Sequence, residues 1–232
     1  MKDLESFPIE NRWPAADPTV LQLYSFPTPN GVKAAIMLEE TGLPYEAHLV
    51  TLADKDVKSP EFLSLNPNNK IPAIIDPNGP DGAPLALFES GAILIYLAEK
   101  TGQFIGKTAS ERAHVIQWLM FQMGGVGPMF GQLGFFYKFA GSEWEDKRPQ
   151  ERYVNEAKRL LAVLEKSMEG KEWIVGDYSI ADIALCPWLN ALDFYGAREA
   201  VGWQDHPNLV AYVERFYARP AVQKGKNIPP RP

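Results

Sequence analysis

The sequence predicts a small mixed α/β domain followed by an all-α domain. Two observations carry this. Up to Gly102, short apolar runs and helical runs follow one another in the order β-α-β, then β-β-α, a pattern that fits a small sheet with helices on its faces. After Gly102 the strands stop, and the apolar residues recur at helical spacing to the end. The 232 residues, 46% of them hydrophobic, are enough to bury two such cores.

Residues 1–18 are rich in Pro and charge and show no period, so they are expected as an extended arm with Phe7 and Trp13 as anchors or as surface aromatics. The α/β domain is expected over 19–102. Alternation over Leu21–Ser25 suggests the first strand; turn residues Pro27, Pro29, Asn30 and Gly31 follow, then a helix over Val32–Thr41 stopped by Gly42. A second strand is expected over Tyr45–Leu52. A short helix opens at Ser59-Pro60, where Ser can cap and Pro suits the first turn. The apolar runs Ile71–Asp76 and Leu85–Phe88 flank the turn-rich Pro77–Gly82, and so read as a hairpin. A helix over Ser90–Lys100 closes the domain.

The helical domain is expected over 109–232. Its first helix, Ala109–Met123, is expected to kink or break at Gly124-Gly125-Val126-Gly127-Pro128. Arg152–Glu169 carries one apolar stripe, and Ser179–Tyr195 is apolar on nearly all sides, hence central, with Pro187 expected to bend it. Leu209, Tyr212, Val213 and Phe216 mark another amphipathic helix.

Lys plus Arg number 23 and Asp plus Glu 29, a net charge of −6 with no basic run. That argues against a nucleic-acid backbone or an anionic membrane as partner. Met1–Pro14 holds no apolar stretch that would serve as a signal peptide, and no apolar run is long enough to span a bilayer. The single cysteine, Cys186, can form no internal disulfide, so a reducing compartment, the cytoplasm, is expected. His48, His114 and His206 lack metal-ligand spacing, so no metal is expected.

Three short segments carry chemistry. A thiol reductase built on a thioredoxin-type sheet places two cysteines where the first strand meets the first helix. Here that junction, Phe26-Pro27-Thr28-Pro29-Asn30-Gly31, has no sulfur, only a hydroxyl and an amide at a helix N-terminus. Such a terminus stabilises an anion, a thiolate included. Thr28 and Asn30 either activate a ligand's sulfur or simply cap the helix. In Asn69-Lys70-Ile71-Pro72-Ala73, Pro72 is either a cis proline exposing the backbone of Ile71 or a plain strand-entry proline. In Phe88-Glu89-Ser90-Gly91, Ser90 can cap a helix and receive a carboxylate while Glu89 meets an amino group; the alternative is a cap beside an exposed acid.

In this order, the three segments resemble the glutathione site of the cytosolic glutathione transferases, and the resemblance runs from about Leu21 to about Val222. Ser179-Ile180-Ala181-Asp182 is similar to the capping box of that family's helical domain. Thr28-Pro29-Asn30-Gly31 narrows the match to the bacterial Nu class, known as glutathione-dependent disulfide-bond oxidoreductases and related to the fungal prion-forming nitrogen regulator. The resemblance implies a thioredoxin-like first domain and glutathione as co-substrate. It implies that Thr28 and Asn30 bond the glutathione sulfur and that Ile71, before Pro72, pairs with the cysteinyl backbone. Lys70 would meet the glycyl carboxylate, and Glu89 with Ser90 the γ-glutamyl end. Arg152 matches an arginine placed near the sulfurs, though a helix arginine is commonly just solvated.

The function implied is glutathione-dependent disulfide reduction by a cytoplasmic homodimer, with a small disulfide or electrophile as second substrate. Two alternatives stand beside it: a transferase or thioether lyase acting on electrophilic small molecules, and a non-catalytic glutathione-binding regulator. The chain lacks the family's tyrosine or serine thiol-activator; Tyr24 lies too early, within the first strand, and is expected in the core. Cys186, inside an apolar helix, is expected as a small core residue. Substrate choice is expected around Gly127–Phe139, where Met129, Phe130, Phe135, Phe136 and Tyr137 either line a pocket or pack.

Overall fold

The computed structural model describes residues 4–231, excepting the side chain of Glu5. Residues 1–3 of the expected arm and Pro232 of the expected helical domain lie outside the described residues. The chain divides into two compact units: residues 4–101 with 220–231, and residues 102–219.

The first unit is built on β1 (Leu21–Ser25), α1 (Gly31–Thr41), β2 (Tyr45–Leu49), α2 (Asp54–Val57), α3 (Pro60–Leu65), β3 (Ala73–Asp76), β4 (Leu85–Phe88) and α4 (Ser90–Thr101). The sheet runs in the order β2-β1-β3-β4. β1 pairs parallel to β2 and antiparallel to β3, and β3 pairs antiparallel to β4. That is the thioredoxin-like βαβ-ββα arrangement the sequence resembles.

Register explains where the strands end. β2 was expected to reach Leu52, but its last partner is Ser25, opposite Leu49, so the ladder stops with β1. β3 was expected from Ile71, yet its first pairs are Ala73 with Tyr24 and Ala73 with Phe88. Ile71 and Pro72 therefore precede the ladder. Alternation sends Tyr24, Ala73 and Ile75 to one face, where they join Phe62 and Leu65 of α3. Leu23 and Ile74, of opposite parity, are fully buried on the other face, with α1 and α4.

The arm is not extended. Leu4–Ser6 and Pro8–Asn11 form 3-10 turns, and Leu4 and Ile9 are buried in the same cluster as Phe62. Phe7 and Trp13 are partly buried against it. The Trp13 indole donates to the Leu49 carbonyl at 3.0 Å, and Arg12 pairs with Asp56.

The second unit is helical: α5 (Ala109–Phe121), α6 (Gly127–Tyr137), α7 (Arg148–Ser167), α8 (Ile180–Tyr195) and α9 (Pro207–Tyr217). The glycine-rich stretch expected to break the first of these does not end it. Gln122–Val126 forms one π-helical turn, and the flanking Phe121 and Gly127 keep helical dihedrals, so an extra residue is absorbed without a break. α8 is the buried centre, with Pro187 inside it. Its start is the expected capping box, Ser179 and Asp182 bonding each other's backbone N–H region. Gly134 of α6 lies so near the Tyr195 ring that a Cβ there would come within 2.5 Å of it.

The last segment returns to the first unit as α10 (Pro220–Gly225). Lys224 pairs with Glu39 at 2.8 Å, and a Cβ on Gly225 would stand 2.7 Å from the Ile36 backbone. Arg231 donates to the Pro27 carbonyl at 3.1 Å and lies over the Phe26 ring at 5.5 Å.

Candidate active site

Strand directions gather the site. Tyr24, Ala73 and Phe88 lie side by side across β1, β3 and β4. The exit of β1, the entry of β3 and the exit of β4 therefore share one end of the sheet. From that end emerge the loop with Thr28 and Asn30, the segment Lys70-Ile71-Pro72, and Glu89-Ser90. The fold thus brings together seven of the eight candidate residues. Arg152 is in the second unit, exposed on α7, with Glu156 one turn on held below the usual carboxylate range chiefly by Arg159.

At the junction the chain turns tightly. The Thr28 N–H donates to the Phe26 carbonyl at 2.7 Å, and the Gly31 N–H donates to Thr28 Oγ1 at 3.1 Å. Thr28 thus does cap the first turn of α1, and its hydroxyl proton is left to donate elsewhere. Asn30 holds the N-cap position, but its side chain makes no cap bond. Only glycine fits next: a Cβ on Gly31 would sit 1.8 Å from the Phe26 carbonyl oxygen and 2.7 Å from Ser25 Oγ. Packing the loop this closely keeps the positive end of the α1 dipole at the site.

The Ile71–Pro72 peptide is cis, as expected. The Asn66 side chain donates to the Lys70 carbonyl at 2.6 Å and fixes the approach, while Lys70 itself is exposed. Glu89 is exposed at a left-handed φ of 72°, a conformation costly for a non-glycine residue. The Ile93 N–H bonds the Glu89 carbonyl, so Glu89 takes the cap position and Ser90 is the first residue of α4. This corrects the expectation that Ser90 is the cap.

Sequence reasoning passed over Lys33. It is fully buried in α1, and its ammonium donates to Asn30 Oδ1 at 2.9 Å and Ser90 Oγ at 3.3 Å. Burial pushes its pKa down to about 7 against the opposing pull of Glu89. The signal was a single charge inside the otherwise apolar run Val32–Leu38.

Tyr24 is in the core, as expected: fully buried, stacked on His48 with ring centroids 4.7 Å apart, its hydroxyl pKa raised by burial and by Glu10. Cys186 is fully buried in α8, its thiol pushed well up by burial and by Asp182. Among the aromatics expected around a pocket, Phe130 is fully buried and Phe136 stacks on Tyr153, whereas Phe135 is exposed. A cavity of about 430 Å³ lined by His114, Trp118 and Tyr178 contains none of the candidate residues.

Residues 19–99 match the family model for the glutathione S-transferase N-terminal domain, and residues 127–220 that for the C-terminal domain. The chain is 46% identical to the disulfide-bond oxidoreductase YfcG of Escherichia coli K12, over 88% of this chain and 93% of that protein. It is similar to a glutathione transferase from Burkholderia graminis solved with two glutathione molecules per subunit, at 67% identity and a TM-score of 0.97, covering 100% of this chain and 98% of that one. It is also similar to a glutathione transferase from Pseudomonas putida solved with one glutathione disulfide per subunit, at 58% identity and a TM-score of 0.97, covering 98% and 100%. With a thioredoxin-like sheet, a cis-proline strand entry and both domain signatures in place, the chain belongs to the glutathione transferase family.

Proposed function

We propose that this protein is a glutathione-dependent disulfide oxidoreductase. The observation that carries the proposal is the placing of its sulfur. The junction where a dithiol reductase keeps its cysteines offers only Thr28 and Asn30, and Cys186 is buried with its thiol held protonated. Both working sulfurs must then come from the co-substrate. The likeness to a named disulfide-bond oxidoreductase and to a transferase holding glutathione disulfide supports the same reading.

In this reading glutathione binds with its sulfur at the start of α1, where the Thr28 hydroxyl, the Asn30 amide and the helix dipole favour the thiolate. Ile71 pairs with the cysteinyl backbone, Lys70 meets the glycyl carboxylate, and Glu89 with Ser90 holds the γ-glutamyl end. The thiolate attacks one sulfur of the disulfide; an S–S bond forms as another breaks, and the leaving thiolate takes a proton from water. A second glutathione resolves the mixed disulfide. The balance is one disulfide and two glutathione giving two thiols and glutathione disulfide. Arg152 is assigned to the sulfurs and the 19–102 domain to glutathione. A cytoplasmic homodimer is the working assembly; among the described residues no helix is long and apolar enough to cross a membrane.

The test is steady-state reduction of hydroxyethyl disulfide by glutathione, with wild-type protein and Cys186→Ser. Turnover by both is expected. Glutathione binding without turnover would instead indicate a regulator, and faster conjugation to an aryl halide a transferase. Loss of activity in a folded Cys186→Ser protein would overturn the proposal.

A further inference from the structure

We propose that Asn66 is a positioning residue for the glutathione site: its side chain sets the plane of the Lys70–Ile71 peptide and so aims the Ile71 N–H at the cysteinyl backbone. The proposal deepens the glutathione reading above and rests on it.

Asn66 follows α3 directly, and all four of its polar groups bond main-chain atoms. Its N–H donates to the Phe62 carbonyl at 2.9 Å, and its carbonyl accepts from the Asn69 N–H at 3.0 Å. Its Oδ1 accepts from the Asn68 N–H at 2.9 Å, and its Nδ2 donates to the Lys70 carbonyl at 2.6 Å. A backbone N–H only donates and a carbonyl only accepts. The amide therefore has one orientation, whatever the charge on any titratable group nearby. Asn66 is buried, whereas Pro67, Asn68 and Lys70 are exposed, so an exposed loop is held from beneath.

Both side-chain bonds lie beyond the helix. α3 is ended by the backbone bond to Phe62 and seated by the burial of Phe62 and Leu65, so the Asn66 side chain serves the loop. Leu4 and Ile9 of the arm are buried in the cluster that holds Phe62, and the Trp13 ring meets Phe62 edge-on with centroids 6.4 Å apart. The Ile71 side chain is buried in that same cluster. Both ends of the segment 66–71 are thus anchored in one core, and what is left to set is the peptide planes between them. The Lys70–Ile71 peptide is trans, and in a planar trans peptide the C=O and N–H point in opposite directions. Holding the Lys70 carbonyl against Nδ2 therefore turns the Ile71 N–H the other way. With that direction fixed before the ligand arrives, binding is spared an ordering cost. The contribution belongs to affinity, not to chemistry at the sulfur.

Asn66→Asp tests this. It keeps an oxygen for the Asn68 N–H and replaces the Nδ2 donor with a second acceptor opposed to the Lys70 carbonyl. Glutathione Kd by calorimetry, and KM for glutathione with hydroxyethyl disulfide, are expected to rise by roughly two- to tenfold, the range for one neutral hydrogen bond. At saturating glutathione kcat should stay within about twofold of wild type, and the bound-thiol pKa from thiolate absorbance should not move. The glycyl ethyl ester of glutathione separates this effect from repulsion between the new carboxylate and the glycyl carboxylate: the loss is expected to persist with the ester. A folded Asn66→Asp protein with wild-type affinity, a loss confined to kcat, or a loss that vanishes with the ester would overturn the assignment.

Wild-type protein provides a check should Asn66→Asp fail to fold. A hydrogen bond made at one end of a peptide strengthens the bond at the other. Titration of the ¹⁵N-labelled protein with S-methylglutathione is therefore expected to move the Ile71 amide and the Asn66 side-chain amide downfield together. Binding that leaves either resonance in place would overturn the assignment. Failure of the wild type to bind glutathione at all would instead strike the functional reading beneath it.

Discussion

The Tyr24 hydroxyl donates to Glu10 Oε1 at 2.9 Å, joining the middle of the sheet to the arm. Tyr24 is a core residue whose one polar atom is satisfied by a segment outside the βαβ-ββα pattern. Its ring stacks on His48 and its hydroxyl is held protonated by burial. No thiol chemistry falls to it.

Tyr24→Phe is accordingly expected to leave disulfide reduction at the wild-type rate. Glu10→Ala strands the buried hydroxyl and is expected to cost about 1–3 kcal/mol in urea unfolding, more than Tyr24→Phe does. A Tyr24→Phe protein that folds but no longer turns over would make Tyr24 the thiol activator after all.

The two junction residues should separate in their side effects. Asn30→Ala and Thr28→Ala are each expected to lower turnover by roughly ten- to a hundredfold with little change in glutathione affinity. Thr28 also accepts from the Gly31 N–H, so Thr28→Ala should lose about 0.5–2 kcal/mol of stability besides. Asn30 makes no cap bond, and Asn30→Ala should spare that part. Calorimetry, kinetics and thermal melts on the same preparations decide it; wild-type rates in both variants would remove them from the chemistry.

Gly31→Ala is the steric test. With 1.8 Å between the added Cβ and the Phe26 carbonyl oxygen, the loop must move, and overpacking of this kind costs about 1–3 kcal/mol. Turnover should fall more steeply than in either junction variant, because Thr28 and Asn30 are displaced together. A wild-type melting temperature with full activity would show that the loop yields freely.

Lys33 should leave a mark on the pH dependence of stability. Its folded pKa of about 7 lies below its ordinary 10.5 because burial penalises the ammonium. Between those values the unfolded chain binds the extra proton, so this residue makes stability rise with pH. The cost of burying the charge is complete below about 7 and gone by about 10.5. Thermal unfolding of the wild type relative to Lys33→Met should therefore improve steadily across that window. Parallel curves for the two proteins would mean that Lys33 ionises normally.

How much of this was legible beforehand depended on whether the signal was local. Pro77 to Gly82 announced the hairpin, Ser59 its cap, and Ser179 with Asp182 the capping box, because each works within a few residues of itself. Strand ends were misjudged at Leu52 and Ile71, since a strand stops where its neighbour does, and the neighbour is distant in sequence. The arm gave no period because Ile9 is buried by tertiary packing alone, and α2 is too short to show one. The glycines at 124–127 read as a break because a π turn adds one residue without any compositional mark. At the site, the residues proposed to meet glutathione could be matched by motif. Lys33, standing behind them, could be found only by asking why a charge interrupts an apolar helix.

The return of α10 bears on how the protein is made. A nascent chain that has emerged as far as Thr101 already holds all four strands and α1, yet the segment that covers Ile36, neutralises Glu39 and steadies the loop at Pro27 is still unsynthesised. Until residues 220–231 leave the ribosome, that side of α1 stays wet and the loop at Pro27 lacks its backing. The half of the protein that is translated first is in this way completed by a segment made much later, and removing residues 220–231 would disturb the loop at Pro27 from far along the sequence.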